Sequence, residues 1–183
     1  MQHAETVTFG GSDLDRAGDL RSDAVGLAAL IQDPAARAIL FWRGKPLIRR
    51  TRPAHLVRLS LDHPVLRDAS PEIIFLGRED GAVRMAYDLS AWTPEQLDES
   101  QLGVFLDPSE QRHPALPDDM VFAELRRVMT WLNPRDAELA ATGKAIFGWH
   151  RSHGFCAVCG EKSEMQQAGW QRTCPRCKAG HFS

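Results

Sequence analysis

Cysteine is missing from most of this sequence: none occurs before residue 156, and all four lie close to the C-terminal end. Long apolar runs are missing as well. The longest, residues 24–31, is interrupted by Gly26 and is far shorter than the roughly 20 residues that cross a bilayer. The N-terminus also lacks the basic start and apolar stretch of a signal peptide. These absences predict a cytoplasmic protein without a membrane partner, in which thiols stay reduced.

An excess of one charge is also absent. The formal net charge is -2, which gives no general reason to expect nucleic acid or a membrane surface as a partner. The composition is typical of a soluble globular protein, with 43% apolar and 25% charged residues. A length of 183 residues suits one ordinary domain with a small additional module.

Strand signals dominate the first half of the sequence. Six segments are predicted strands, at residues 38–42, 46–50, 55–59, 72–77, 83–89 and 102–106. The first two flank Gly44 and the fourth and fifth flank Gly81, so each pair predicts a β-hairpin whose glycine can adopt a positive φ. Apolar and polar residues largely alternate in 83–89, which predicts one buried and one solvent-facing side.

Four segments are predicted helices, at residues 22–32, from Thr93 onward, from about Asp118 to Leu132, and from Pro134 toward His153. Ser22 and Asn133 are predicted N-caps, and Pro134 suits the first helical position. Thr93 and Gln96 match a capping box. The order of strands and helices predicts an α+β domain with a small metal module behind it.

The cysteines form two pairs, Cys156-Ala-Val-Cys159 and Cys174-Pro-Arg-Cys177, separated by fourteen residues. A tight turn carrying such a pair can place two thiolates on one edge of a tetrahedron, about 2.3 Å from zinc. Two such turns complete a four-thiolate shell, and Gly160 supplies a flexible backbone after the first pair. The pattern predicts Cys156, Cys159, Cys174 and Cys177 as ligands of a structural Zn²⁺ in a zinc ribbon, with no open position for catalysis.

The segment after Gly154 favours this interpretation because it is poor in large apolar side chains. About 30 residues cannot bury enough surface to fold alone, whereas structural zinc contributes roughly 10–16 kcal/mol. Redox-active or disulfide-bonded cysteines are disfavoured by the two matched pairs and by the predicted reducing location. Three nearby histidines could replace a thiolate, namely His150, His153 and His181, although four thiolates already suffice.

Signals for other chemistry are weak. The module carries more basic than acidic residues, which weakly suggests nucleic acid, but a solvated surface is the simpler interpretation. Gly143-Lys144 lacks the rest of a phosphate-binding loop, and no serine lies in a Gly-x-Ser-x-Gly motif. Four tryptophans are predicted core residues, namely Trp42, Trp92, Trp131 and Trp149.

Three stretches resemble one known family. They are Phe-Ala-Glu-Leu-Arg-Arg at 122–127, Asn-Pro-Arg-Asp-Ala-Glu-Leu-Ala-Ala at 133–141, and Trp-His-Arg-Ser-His-Gly-Phe-Cys-Ala-Val-Cys-Gly at 149–160. They resemble the N-terminal half of bacterial NADH pyrophosphatases, members of the Nudix hydrolase superfamily. Residues 42–47 and 75–81 are also similar to the N-terminal domain of that family, and the resemblance covers roughly residues 20–182.

The resemblance implies a degenerate Nudix-like domain over 1–132, a connecting helix over 133–153 and a zinc ribbon over 154–183. It also implies homodimers, a catalytic Nudix domain after the ribbon, and hydrolysis of NADH or NAD to AMP and nicotinamide mononucleotide. Some relatives remove NAD caps from RNA.

The catalytic segment of the superfamily is Gly-x5-Glu-x7-Arg-Glu-x2-Glu-Glu-x-Gly, whose glutamates hold Mg²⁺ or Mn²⁺. It does not occur in these 183 residues, so Mg²⁺ or Mn²⁺ is expected only in a catalytic domain outside them. We therefore expect this chain to be structural and dimerising, to contain no catalytic residue and to be inactive alone.

Two other interpretations stay open. The chain could be a stand-alone zinc-ribbon module that binds nucleic acid or protein, or an enzyme that uses Glu79, Glu95 or Glu99 as metal ligands. Relatives often have glycine where this chain has Lys178, and we expect a slight strain in the second cysteine turn.

Overall fold

A computed structural model describes residues 12–95 and 108–183. Seven strands form one sheet: β1 (Arg37–Trp42), β2 (Lys45–Arg49), β3 (His55–Leu56), β4 (Leu59–Ser60), β5 (Ile73–Glu79), β6 (Ala82–Asp88) and β7 (Met120–Phe122). Three more form a second sheet: β8 (Glu164–Gln166), β9 (Gln171–Thr173) and β10 (Gly180–Phe182). The α-helices of the described residues are α1 (Ala24–Ile31), α2 (Leu125–Val128) and α3 (Pro134–Ser152). Short 3-10 helices cover Gly18–Arg21, Pro64–Asp68, Met129–Trp131 and Gln167–Gly169.

The two predicted hairpins are confirmed. Arg43 and Gly44 join β1 to β2 with φ values of 48° and 80°, and Asp80 and Gly81 join β5 to β6 with φ values of 51° and 86°. Two consecutive positive φ values are typical of type I′ turns, whose twist matches that of the flanking strands. The glycine in each segment therefore predicted the hairpin because the turn requires a positive φ.

The large sheet is mixed, and its strands run in the order β3-β2-β1-β6-β5, with β4 also paired to β1 and β7 to β2. β1 and β6 are parallel, and the other pairs are antiparallel. Together with the helices, this sheet confirms the predicted α+β class.

Both faces of the large sheet are covered. On one face Ile39, Phe41 and Ile74 pack against α3, and on the other Phe75 and Met85 pack near α1. The prediction that β6 has a solvent-facing side is therefore wrong. Arg84, on the side expected to face solvent, is buried and paired with Glu79, and Ala86 is fully buried, because α3 covers that face.

Helix α3 confirms the predicted cap and first position. The Asn133 side chain accepts a hydrogen bond from the Asp136 amide, and Pro134 begins the helix. No helix among the described residues is long and apolar enough to span a bilayer.

The predicted helix from Asp118 to Leu132 is wrong in its first part. Residues 120–122 form β7, which pairs with β2 in the register Leu47↔Phe122, and α2 begins only at Leu125. All three β7 residues are buried. Val121 and Phe122 therefore fitted the apolar stripe of a helix, although in the strand they belong to different core clusters. The prediction that Trp131 lies in the core is also wrong. Its side chain is 60% exposed, because it ends a short 3-10 helix at the surface.

Smaller differences concern element boundaries. The cap of α1 is Asp23 rather than Ser22, and the predicted strand 55–59 is divided into β3 and β4. Gln96 and residues 102–106, which carried two further predictions, lie outside the described residues.

Candidate metal centre

Each cysteine pair occupies a tight turn, and the two turns have the same backbone pattern. The Gly160 amide donates to the Cys156 carbonyl at 2.9 Å, and the Lys178 amide donates to the Cys174 carbonyl at 3.0 Å. Gly160 and Lys178 both have left-handed backbone, with φ values of 75° and 62°. This conformation allows backbone amides to point at sulfur: Val158 N lies 3.4 Å from Cys156 Sγ, and Cys177 N lies 3.4 Å from Cys174 Sγ.

The two turns bring all four sulfurs together. Every pair of Sγ atoms lies within 4.8 Å, and two of the separations are 3.5 Å, between Cys156 and Cys177 and between Cys159 and Cys174. A tetrahedral zinc with bonds of about 2.3 Å requires sulfurs about 3.8 Å apart. No disulfide joins them, so the predicted cysteines form a group that could hold a zinc ion.

The protonation of these sulfurs depends on their neighbours. Burial raises the pKa of the Cys156 thiol, but the hydrogen bonds it receives, including one from His181, outweigh burial and lower it to about 6. For Cys177 the Ala179 amide lowers the pKa, while burial and the three other sulfurs raise it to about 12. Four thiols this close cannot all ionise without a compensating cation, and a divalent ion supplies that charge.

The three nearby histidines have different positions. His181 Nε2 lies 3.3 Å from Cys156 Sγ, close enough for a hydrogen bond to the sulfur. The His153 ring stacks on Trp149 at 5.8 Å between ring centres, and His150, on α3, is buried against the ribbon. None of the three joins the group of potential ligands found among the described residues.

The ribbon is fastened to the rest of the molecule through a buried joint that the sequence did not reveal. His150 Nε2 lies 2.8 Å from the Gly169 carbonyl, and the Arg172 guanidinium donates to His150 Nδ1 at 2.9 Å and to Ser163 Oγ at 2.8 Å. The indole N–H of Trp170 donates to the Phe75 carbonyl in β5 at 2.6 Å. In the sequence, no pattern distinguishes Arg172 or Ser163 from other residues of the ribbon, so this joint was not predicted.

The acidic residues considered as alternative metal ligands have other surroundings. Both Glu79 carboxylate oxygens accept hydrogen bonds, from Arg58 and from Arg84, at 2.6–2.7 Å. Arg58 also bridges to Asp136, which is almost fully buried. Burial raises the pKa of Glu79, but the hydrogen bonds and charges of Arg58 and Arg84 outweigh burial and hold the pKa below its ordinary value. Glu95 is exposed, and Glu99 lies outside the described residues.

Comparisons with known proteins match two adjacent family descriptions. Residues 35–149 match the NADH pyrophosphatase-like rudimentary NUDIX domain, and residues 151–182 match the NADH pyrophosphatase zinc ribbon domain. The second match contains all four cysteines, and the first contains the large sheet and most of α3.

Individual relatives agree with these descriptions. The NAD-capped RNA hydrolase NUDT12 of Macaca fascicularis is 26% identical over 192 residues, which cover 91% of this chain and 39% of the relative. The human mitochondrial NAD(P)H pyrophosphatase NUDT13 is 43% identical over 54 residues, or 30% of this chain and 15% of the relative. The chain thus spans well under half the length of the curated relatives it matches.

Proposed function

Because the chain belongs to the family of NADH pyrophosphatase-like rudimentary NUDIX domains, we propose that it is the N-terminal and zinc-ribbon part of a Nudix hydrolase. That enzyme would cleave the diphosphate of NADH or NAD to AMP and nicotinamide mononucleotide, and NAD-capped RNA would be a further substrate. The observation that carries the proposal is the tandem order of the two matches, at 35–149 and 151–182.

In this proposal the four cysteines hold one structural Zn²⁺. Cys156 and Cys174 are buried, their turns direct amides at sulfur, and the sulfur separations suit a tetrahedral ion. Four thiolates leave no open position, so the ion stabilises the fold and activates no water. The free thiols also fit a cytoplasmic location, where cysteines stay reduced.

The chain itself would act as a platform. Its ribbon is fixed to the large sheet by Trp170 and to α3 by His150 and Arg172, so the direction in which the ribbon points is set by the Nudix-like domain. We propose that this platform positions a catalytic Nudix domain, which would hold Mg²⁺ or Mn²⁺, and that it contributes to a homodimer. The Glu79 carboxylate is already paired with two arginines, which supports a structural rather than a catalytic role.

The proposal is tested by metal analysis of protein purified under reducing conditions. We expect one zinc per chain, loss of that zinc in Cys174→Ser, and retention in His153→Ala, the matched control beside the site. His181→Ala should keep the zinc but bind it about 10-fold to 100-fold more weakly, because His181 contacts a ligand rather than the ion.

The same preparation is then incubated with NADH and Mg²⁺, and AMP is measured. We expect no AMP from this chain. Sustained AMP release would overturn the structural role, and a metal-free wild-type chain with an ordered ribbon would overturn the zinc assignment.

A further inference from the structure

A cavity lies at the end of β2, between the loop that leads to β3 and the 3-10 helix Met129–Trp131. It has a volume of about 620 Å³, and we name it the Trp131 cavity. The ribbon contacts the large sheet at β5, which β1 and β6 separate from β2 in the strand order. The cavity is therefore distinct from the metal centre, and its volume is typical of sites that bind small organic groups.

The indole of Trp131 is the unusual feature of these walls. Its side chain is largely exposed, whereas Trp42 in β1 is fully buried. An indole is among the largest apolar groups that a protein can bury, so leaving one in water forgoes a sizeable stabilisation. An exposed indole in the wall of a cavity offers a flat apolar surface on which another aromatic ring can stack.

Two arginines bring positive charge to the same cavity. Arg52 is exposed, and its side chain has no ion-pair or hydrogen-bond partner in the part of the chain that the structure describes. Arg50 Nη1 lies 3.1 Å from Glu110 Oε2, but both side chains are accessible to water. Ion pairs of this kind contribute little, so Arg50 can exchange the carboxylate for a phosphate at low cost.

The walls also contain oxygen atoms that suit a ribose. They belong to Glu110, Thr51 and Thr130. The Thr51 hydroxyl donates to the Pro53 carbonyl at 2.8 Å, which leaves its oxygen as an acceptor. A 2′-hydroxyl can donate to such acceptors, and deoxyribose lacks this group. Because a carboxylate repels an isolated phosphate, the mixture of charges favours a ribonucleotide unit over inorganic phosphate.

We propose that the Trp131 cavity binds one nucleotide of single-stranded RNA, with the base on the Trp131 indole and the adjoining phosphates at Arg50 and Arg52. Exposed walls suit a strand that passes across them, because stacking accepts any base and the backbone follows the positive charge. The choice of RNA as the polymer rests on the proposed function, since an NAD-capped RNA would bring a strand to this domain.

The test is the fluorescence anisotropy of a labelled, uncapped single-stranded RNA of about ten nucleotides, titrated with the zinc-loaded chain. Two phosphate contacts predict that the logarithm of the binding constant falls with the logarithm of the salt concentration with a slope of about −1.4. DNA of the same sequence should bind more weakly, because it lacks the 2′-hydroxyl. Equal affinity for RNA and DNA, or displacement of the RNA by an equal concentration of AMP, overturns the proposal.

Two substitutions of Trp131 test the stacking contact. Trp131→Leu should weaken RNA binding at least about fivefold and leave the salt slope unchanged, because it removes an aromatic surface and no charge. Trp131→Phe should recover part of the affinity, since phenylalanine keeps a ring. Urea denaturation verifies that both variants remain folded.

A substitution of Arg52 tests the phosphate contact. Arg52→Met should weaken RNA binding and reduce the magnitude of the salt slope by about 0.7, the value for one phosphate on a single strand. Arg67→Met is the matched control and should leave the slope unchanged, since Arg67 is an exposed arginine of another 3-10 helix. Unchanged RNA affinity in both Trp131→Leu and Arg52→Met overturns the site.

Sedimentation of the same variants tests a second copy of this chain as the occupant. If Trp131→Leu lowers the molecular mass in solution and leaves RNA affinity unchanged, a second copy covers the indole and the proposal is overturned. Failure of the proposed function has a different signature, namely a chain without zinc or release of AMP from NADH. Neither measurement enters the RNA titration, so the two failures are distinguishable.

Discussion

At the scale of single residues, the two cysteine turns differ at one position. Gly160 and Lys178 occupy equivalent places and both have left-handed backbone. Glycine adopts this conformation freely, whereas a residue with Cβ loses roughly 1–2 kcal/mol. The strain expected at Lys178 from the sequence is therefore confirmed by its φ of 62°.

Lys178→Gly is expected to raise the free energy of unfolding by about 0.5–1 kcal/mol, because relief of strain exceeds the extra chain entropy of glycine. Denaturant unfolding of the zinc-loaded chain, followed by a signal from the ribbon, measures this. Lys178→Ala controls for the lost charge and should show no such gain. Gly160→Ala is the reverse change and should cost about 1 kcal/mol, since an added methyl group meets no atom within 4 Å there and only the backbone is strained.

At the scale of elements, α3 packs closely against the sheet at a glycine. A Cβ on Gly143 would lie 2.4 Å from Cζ of Phe41, which is fully buried in β1 and packs edge-on against Phe147. The ring has no free space to enter, so this glycine sets the distance between helix and sheet.

Gly143→Ala is therefore expected to destabilise the protein by about 1–3 kcal/mol, although alanine is the better helix former. Gly148→Ala, five residues later in the same helix, is the matched control. The nearest atom to its added Cβ is the Arg151 guanidinium at 3.9 Å, so it should stabilise by up to about 1 kcal/mol. Urea denaturation compares the two. Equal stabilisation by both changes would show that Gly143 does not limit the packing.

The sequence predicted elements with local signals better than elements defined by packing. Asn133 and Pro134 marked the start of α3, and Gly44 and Gly81 marked the hairpins, because caps and turns are set by neighbouring residues. β7 carries no such local signal. Its identity depends on pairing with β2, more than seventy residues earlier in the chain, so periodicity alone assigned it to a helix.

At the scale of the whole molecule, the metal centre is set by residues close in sequence, whereas the joint between ribbon and domain is set by residues far apart. Cysteine spacing predicted the four sulfurs because each turn is local. The contacts of Trp170 with Phe75 and of Arg172 with His150 join distant parts of the chain, and no sequence pattern announces them. The attachment of the ribbon to the domain could therefore be found only in the folded molecule.

Because the joint contains His150, its contribution to the stability of the folded chain depends on pH. Burial first, and the nearby Arg172 charge, lower the pKa of His150, while the Gly169 carbonyl and Glu72 oppose them without outweighing them. The folded joint therefore holds neutral His150, accepting a hydrogen bond from Arg172. The unfolded chain binds a proton below about pH 6.5 and the folded one does not, so the joint's contribution is complete above that pH and declines as pH falls.

His150→Gln is expected to reduce this pH dependence, because an amide can donate to Gly169 and accept from Arg172 without titrating. As the pH falls from about 6.5 to about 5.5, the wild-type chain should lose more unfolding free energy than the variant, by at most about 1.4 kcal/mol. Both proteins are measured at saturating zinc, so that protonation of the cysteines affects them equally. Parallel pH profiles would mean that His150 does not carry the dependence, whereas a flatter profile in the variant ties the coupling of ribbon and domain to this one imidazole.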